Sequence, residues 1–505
     1  METTGGARSR IAIIGTGFSG LGAAIGLKRA GFDDFVIFER AESVGGTWRD
    51  NTYPGCQCDV PSHLYSFSFK LNPNWTRTYS TQPEIWAYLE DCAREAGVMP
   101  HVRFEHRVEQ ARWDEDNSVW VIQTNKGTWR TDILISANGA LAEPAIPDIP
   151  GLSDFGGPVV HSAAWDHDLD VKNKKVAVLG TGASAIQIIP HLQRQVDRLV
   201  VFQRTPAWVM PHTDRKISDR ERKLYRRVPL AQKIVRKVIY GAREFLVLGM
   251  TKNRKFLKPI QRVAALHIRS KVKDPELRRK LTPSYSLGCK RILLSDDYYP
   301  ALASDNCDLV TDGIERFSSS GVVTRDGEEH DVDAMILATG FKVTDNPVME
   351  GLIGRGGVSL AETWQRDGMR AYVGTTIPGF PNMFMMTGPN TGIGHTSLLV
   401  MIEAQINYIV KALKHMSRSR AATIEVRATA VDAYNTDLQR KMKRTVWTMG
   451  GCASWYLDAK GNNTTLWPDF TWRFRKATRR FDPAAYVVAR GGSDVGHRER
   501  DRLPA

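Results

Sequence analysis

Short apolar runs without alternation recur along the chain, at residues 11–14, 35–38, 175–179 and 199–202. Runs of that length and character predict strands buried on both faces, as in a parallel sheet. After the first and the third, a glycine-rich turn leads into a helical stretch, the first running through Ala30. Between residues 101 and 135 the pattern changes. Val102-Arg103-Phe104 and Trp120-Val121-Ile122 predict a small antiparallel sheet, and Ile133-Leu134-Ile135 predicts a return strand. From about residue 209 to 288 strand signals fade and a basic, helical stretch takes over. Two further strands are predicted at 334–340 and 381–387. The second is followed by Gly388-Pro389-Asn390-Thr391-Gly392, a turn predicted to open a helix through Leu413 and to aim backbone N–H groups at a ligand.

The two turns carry the first chemistry. Gly15-Thr16-Gly17-Phe18-Ser19-Gly20 and Gly180-Thr181-Gly182-Ala183-Ser184-Ala185 each follow a strand and open a helix. The first glycine permits the tight turn, the second lets a pyrophosphate approach, and the third position needs a small residue for helix packing. Ala185 is allowed there. The strand at 35–38 ends in Glu39, where a carboxylate binds ribose hydroxyls and repels a 2′-phosphate, so this unit should hold FAD or NAD. The strand at 199–202 ends in Gln203-Arg204-Thr205, and an arginine there suits the 2′-phosphate of NADPH. The fold class that follows is α/β, with two Rossmann-like dinucleotide-binding domains and a helical insert in the second.

Longer patterns join these units. Gly45-Gly46-Thr47-Trp48, Tyr53-Pro54-Gly55 and Asp59 form one. Phe155, Gly157, His161, Trp165 and Asp166 form a second, in the connector between the units. Gly288-Cys289-Lys290-Arg291 ends the insert, and Ser454-Trp455-Tyr456-Leu457 lies near the C-terminus. Together they resemble the fingerprints of type I Baeyer–Villiger monooxygenases, from Ile11 to about Arg475. Lys342, after Phe341, departs from the acid that many relatives place there.

The resemblance implies FAD in the first unit and NADPH in the second. It implies that reduced flavin takes up O₂ as a C(4a)-peroxide and that oxygen enters beside a ketone carbonyl to give an ester or lactone. Arg291 and Asp59 are then the catalytic pair, and Lys290 binds the 2′-phosphate. The expected cofactor-binding set is Gly15, Gly17, Ser19, Gly20, Glu39, Thr47, Trp48, Asp59, Tyr65, Val108, Gly180, Thr181, Gly182, Ala183, Ser184, Ala185, Arg204, Thr205, Lys290, Arg291, Leu398 and Trp455. No metal is expected. The expected division is 1–140 and 343–490 for the FAD domain, 141–208 and 289–342 for the NADPH domain, 209–288 for the insert, and 491–505 for a disordered tail.

Composition changes this picture little. At 505 residues, 42% hydrophobic and 25% charged, the chain suits a soluble protein of two or three domains. No apolar run reaches the ~18 residues of a membrane span, and the N-terminus has no signal core, so a cytoplasmic location is expected. Six cysteines without a framework fit a reducing compartment, and the Cys56-x-Cys58 spacing suits neither zinc nor a dithiol, so both are expected to pack. The net charge of +14 concentrates around residues 215–280. A basic amphipathic helix between 230 and 257 allows peripheral membrane contact, while nucleic acid is not an expected partner. Two alternatives stay open, and a third, the disulfide reductase, finds no suitable cysteine pair in the sequence. A flavin-containing monooxygenase would attack amine or sulfide, and a flavin-binding redox sensor would need no oxygen chemistry.

Overall fold

The computed structural model describes residues 7–344, 346–458 and 460–490; the tail expected to be disordered lies outside them. The first glycine turn belongs to a five-stranded parallel sheet. Its spatial order is Met383–Met385, Ile133–Ser136, Ile11–Ile14, Phe35–Phe38 and Val102–Arg103. Ile11–Ile14 and Phe35–Phe38 are buried throughout, as unalternated apolar strands must be. The helix Phe18–Arg29 covers one face and packs on Leu399–Ser419. A second parallel sheet has the order Cys307–Val310, Arg198–Phe202, Lys175–Leu179, Ala334–Leu337 and Val159–His161. The glycine turn at 180 leaves its central strand for the helix Ala185–Gln193.

The structure corrects four local expectations. Val102–Arg103 pairs in parallel with Phe35–Phe38 and so belongs to the first sheet. The antiparallel sheet is built from Val108–Asp114, Val119–Thr124 and Gly127–Thr131. A two-residue strand is too short to show which partner it chooses. The connector is more than a linker, because Val159–His161 is the edge strand of the second sheet. Phe155 packs beneath that sheet, and a β-carbon on Gly157 would lie 2.4 Å from the Asp333 carbonyl oxygen. Finally, the long C-terminal helix starts at Leu399, well after Gly392.

Residues 219–281 are helical, and the short strands Val209–Met210 and Leu293–Leu294 pair across the base of this excursion. It is pinned to the first unit through His63. Gln232 Nε2 lies 3.2 Å from His63 Nδ1, and Arg236 Nη1 donates to the His63 carbonyl at 2.8 Å. Burial holds the His63 imidazole down at about 4, with Arg215 and Arg236 adding and Glu221 opposing. The unfolded chain takes up a proton near pH 6.5 and the folded chain does not until about pH 4. Stability is therefore intact above pH 6.5 and falls as pH drops through that window, by up to about 3 kcal/mol. Melting temperatures of wild type and His63→Gln between pH 7.5 and 4.5 check this, with the variant showing the shallower decline.

Candidate active site between the two nucleotide units

The glycine turns form open cradles. Gly15 and Gly180 have φ of +98° and +119°, and a β-carbon on either would strike a carbonyl oxygen, of Ala137 at 2.8 Å or Ala338 at 2.5 Å. At Gly20 it would lie 1.8 Å from the Gly15 oxygen, which accounts for the third glycine. At Gly182 it would meet no protein atom within 4 Å, and at Gly17 only the Gly46 Cα at 3.8 Å. What such carbons would obstruct is the space before the helix. Neither helix has a side-chain cap, so both leave first-turn N–H groups for an anion. Ser19 and Ala185 are buried in these helices, and Ala183 and Ser184 lie in the second turn. Thr181 Oγ1 donates to the Thr205 carbonyl at 3.0 Å, tying the second cradle to the strand end that carries Arg204. These features fit two dinucleotides.

Glu39 is buried and already engaged. Its oxygens accept from the N–H groups of Thr16 at 3.1 Å and Ala41 at 3.0 Å, and Arg49 stands 3.0 Å away. Arg49 was not legible as a partner, because it falls at an unfixed position of the pattern that runs from Gly45 to Asp59. Val108 begins its strand two residues after His106, whose N–H donates to the Glu39 carbonyl at 2.8 Å, so both lie at the same end of the cradle.

The stretch from Gly45 onward passes from one unit to the other. Gly46 sits against Gly17, and Thr47 starts a short helix carrying Trp48. Trp48 Nε1 donates to Tyr65 Oη at 2.9 Å. Trp48 and Leu398 each pack against the cores of both units. Tyr53 Oη then donates to Gln187 Oε1 at 3.1 Å, and Gln187 Nε2 returns a bond to the Gln57 carbonyl at 2.9 Å. Cys56 and Cys58 are buried packing residues, as expected.

This crossing delivers Asp59 to Arg291. Arg291 Nε and Nη2 donate to the two carboxylate oxygens, both at 2.5 Å, a bidentate pair linking positions 232 residues apart. The side chains keep 44% and 26% of their surface accessible, so the pair is partly covered by protein yet reachable from outside. Burial alone would raise the Asp59 carboxyl, but the charge and hydrogen bonds of Arg291 hold it below the usual range. The Asp59 charge in turn raises Arg291 well above an ordinary guanidinium. Nη1 of Arg291 has no partner among the described residues. The Arg243 charge also helps hold Asp59 down, and the buried, neutral phenols of Tyr456 and Tyr65 lie beside the pair. Tyr456 and Arg243 carried no sequence signal for this role.

Lys290 lies over the Tyr285 ring at 5.3 Å. Burial lowers its ammonium, and the Arg204 guanidinium lowers it further. Neither cation has a carboxylate partner among the described residues. Two neighbouring cations without a carboxylate partner have the charge and donors that suit a phosphate.

Two expectations fail here. The N–H groups of Asn390 and Gly392 donate to the carbonyls of Thr464 and Thr465, both at 2.9 Å, so this turn has spent them on the chain. The cysteines do include a pair: Cys289 and Cys452 form a disulfide that ties the Lys290–Arg291 turn to the segment bearing Trp455. The two lie 163 positions apart, and no spacing rule points to the pair. Trp455 is 51% exposed beside buried Tyr456.

A family model described as pyridine nucleotide-disulphide oxidoreductase matches residues 12–226. That match spans both glycine turns and ends before Cys289 and Cys452. A Baeyer–Villiger monooxygenase of Streptomyces coelicolor is 52% identical over 95% of this chain and 93% of its own length. One of Pseudomonas aeruginosa is 51% identical over 94% and 91%. Among solved structures, an oxidized steroid monooxygenase bound to NADP superposes with a TM-score of 0.83 at 29% identity, covering 96% of this chain and 100% of that one. The NADP⁺-bound cyclohexanone monooxygenase from Rhodococcus sp. Phi1 gives 0.83 at 27% identity over the same shares. The chain belongs to the Baeyer–Villiger monooxygenase family.

Proposed function

We propose that this protein converts a ketone, O₂, NADPH and a proton into an ester or lactone, NADP⁺ and water. One oxygen atom enters the bond beside the carbonyl and the other leaves as water. FAD in the first cradle would take hydride from NADPH and activate O₂, chemistry that belongs to the cofactor. Gly15, Gly17, Gly20 and Glu39 would hold it, with Trp48 and Tyr65 beside it. Gly180, Gly182, Arg204 and Lys290 would hold NADPH.

The observation that carries this reading is the Asp59–Arg291 pair. Asp59 takes two donors of the guanidinium and fixes its plane, which leaves Nη1 for the substrate. A guanidinium stays charged when partly buried and donates to the oxyanion that forms on the ketone oxygen. Its charge also keeps an attacking oxygen deprotonated. Oxygenation of a sulfide is a second reading, since sulfur is a softer acceptor for the same oxidant. A cytoplasmic location goes with a supply of NADPH.

The test is NADPH oxidation by purified, FAD-loaded protein with cyclic, linear and aryl ketones and one sulfide, followed by product mass. Ketone-dependent NADPH consumption with ester as product is expected. Heteroatom oxidation with every ketone inert sinks the carbonyl reading.

A further inference from the structure

The helix Pro229–Val247 exposes large apolar side chains in addition to those it packs on the core. Its inner face packs Val235, Ile239 and Tyr240 against the core and adds polar and charged residues that bind the body of the chain. Gln232 donates to the Asn72 carbonyl at 2.6 Å, Arg243 donates to Tyr79 Oη at 3.1 Å, and buried Glu244 accepts from the Thr471 N–H at 3.1 Å. Its outer face carries four more large apolar side chains. Leu230, Ile234, Val238 and Phe245 are 64%, 53%, 66% and 64% exposed. Their spacing of three to four residues or its multiple puts them in one stripe. Scattered exposed aliphatics need no explanation, but a continuous stripe on one helix marks a surface that something covers.

Charge identifies the cover. Between Arg222 and Lys273 the sequence holds 16 lysines and arginines and a single acid, Glu244, which points inward; the rest of the chain has 53 basic and 54 acidic residues. The whole positive excess of the protein therefore lies in this one excursion. Lys233 and Lys237 flank the stripe, exposed and without a carboxylate partner among the described residues. A second copy of this face would bring like charges together. Nucleic acid would satisfy the lysines but leave four large apolar side chains in water. An anionic lipid surface satisfies both, with apolar side chains among the acyl chains and lysines at the headgroups.

We propose that the outer face of Pro229–Val247 docks this protein on anionic membrane surfaces. The helix does not cross the bilayer, since no helix among the described residues is long and apolar enough to do so. It lies on it. The proposal is independent of the reaction assigned above, and binding is read without turnover.

The experiment is flotation of the FAD-loaded, full-length protein with vesicles of mixed phosphatidylserine and phosphatidylcholine, against pure phosphatidylcholine. Wild type is expected to float with the mixed vesicles, to release in high salt, and to ignore the neutral ones. Lys233→Ala/Lys237→Ala weakens binding about thirty-fold. Ile234→Ser/Val238→Ser weakens it at least about ten-fold, through lost apolar insertion. Both variants keep wild-type ketone turnover in vesicle-free buffer, which shows that they are folded. The proposal is overturned if wild type fails to float with mixed vesicles, or if the Ile234→Ser/Val238→Ser variant floats as well as wild type. It is equally overturned if soluble polyaspartate competes as well as the vesicles do, or if the stripe proves to be a dimer face that the serine variant splits.

Discussion

Arg291→Ala is expected to lose ester formation by a factor of at least about 100 to 1,000, the cost of removing a preorganised donor at developing charge. Reduction of bound FAD by NADPH should change far less. Hydride transfer depends on how the two nucleotides dock, which the proposal assigns to the glycine cradles and the Arg204–Lys290 cations. The separation is the informative part. NADPH consumption in the variant would continue without ester, with the reduced oxygen lost as hydrogen peroxide. Arg291→Lys should recover little, because an ammonium cannot bind both oxygens of Asp59 and still present a fixed donor to substrate. Arg291→Ala also leaves Asp59 with only the Arg243 charge to oppose its burial, so its carboxyl rises. Asp59→Asn, which keeps the shape but frees the guanidinium plane, should cost less than Arg291→Ala. The double variant should cost no more than Arg291→Ala alone, since the two act as one unit. Stopped-flow flavin reduction and product analysis on the same preparations check both halves.

The second large effect falls on coenzyme choice. Removing Arg204 or Lys290 takes one charged donor from the proposed 2′-phosphate site, about 1.5–3 kcal/mol each, so KM for NADPH should rise about ten- to a hundred-fold. NADH has no 2′-phosphate, and its weak turnover should not change. The ratio of the two coenzymes therefore collapses while the turnover number with saturating NADPH survives. Lys290→Ala tests this most cleanly, because Lys290 holds no ion pair among the described residues whose loss would confuse the result. If both coenzymes weakened equally, the residue would be shaping the turn and not reading the phosphate.

How much of this was legible before the structure depended on distance along the chain. The parallel strands at 11–14, 35–38 and 175–179 were, because an apolar run between a turn and a helix is a local signal. The cradles were legible for the same reason. Asp59 and Arg291 were not a pair in any pattern of residues. They stand 232 positions apart, and only the family resemblance brought them together. The same limit hid Cys289–Cys452 and the Tyr53–Gln187 clamp, each a contact between distant segments. Gly388–Gly392 misled for a different reason. A glycine turn before a helix usually offers its N–H groups to a ligand, but here the segment at 463–466 reached them first. The helix at 229–247 could be recognised as amphipathic from its sequence, but not which face would be turned outward. The packing of Val235, Ile239 and Tyr240 and the partners of Gln232, Arg243 and Glu244 decide that.

The measurement that bears most directly on the account is turnover of a cyclic ketone under ¹⁸O₂ with NADPH, scored by mass and by the position of the label. One ¹⁸O is expected in the ring oxygen of the lactone, none in its carbonyl, with one NADPH consumed per lactone. Lactone without label, or NADPH consumed with the ketone recovered intact and all oxygen released as peroxide, would contradict it.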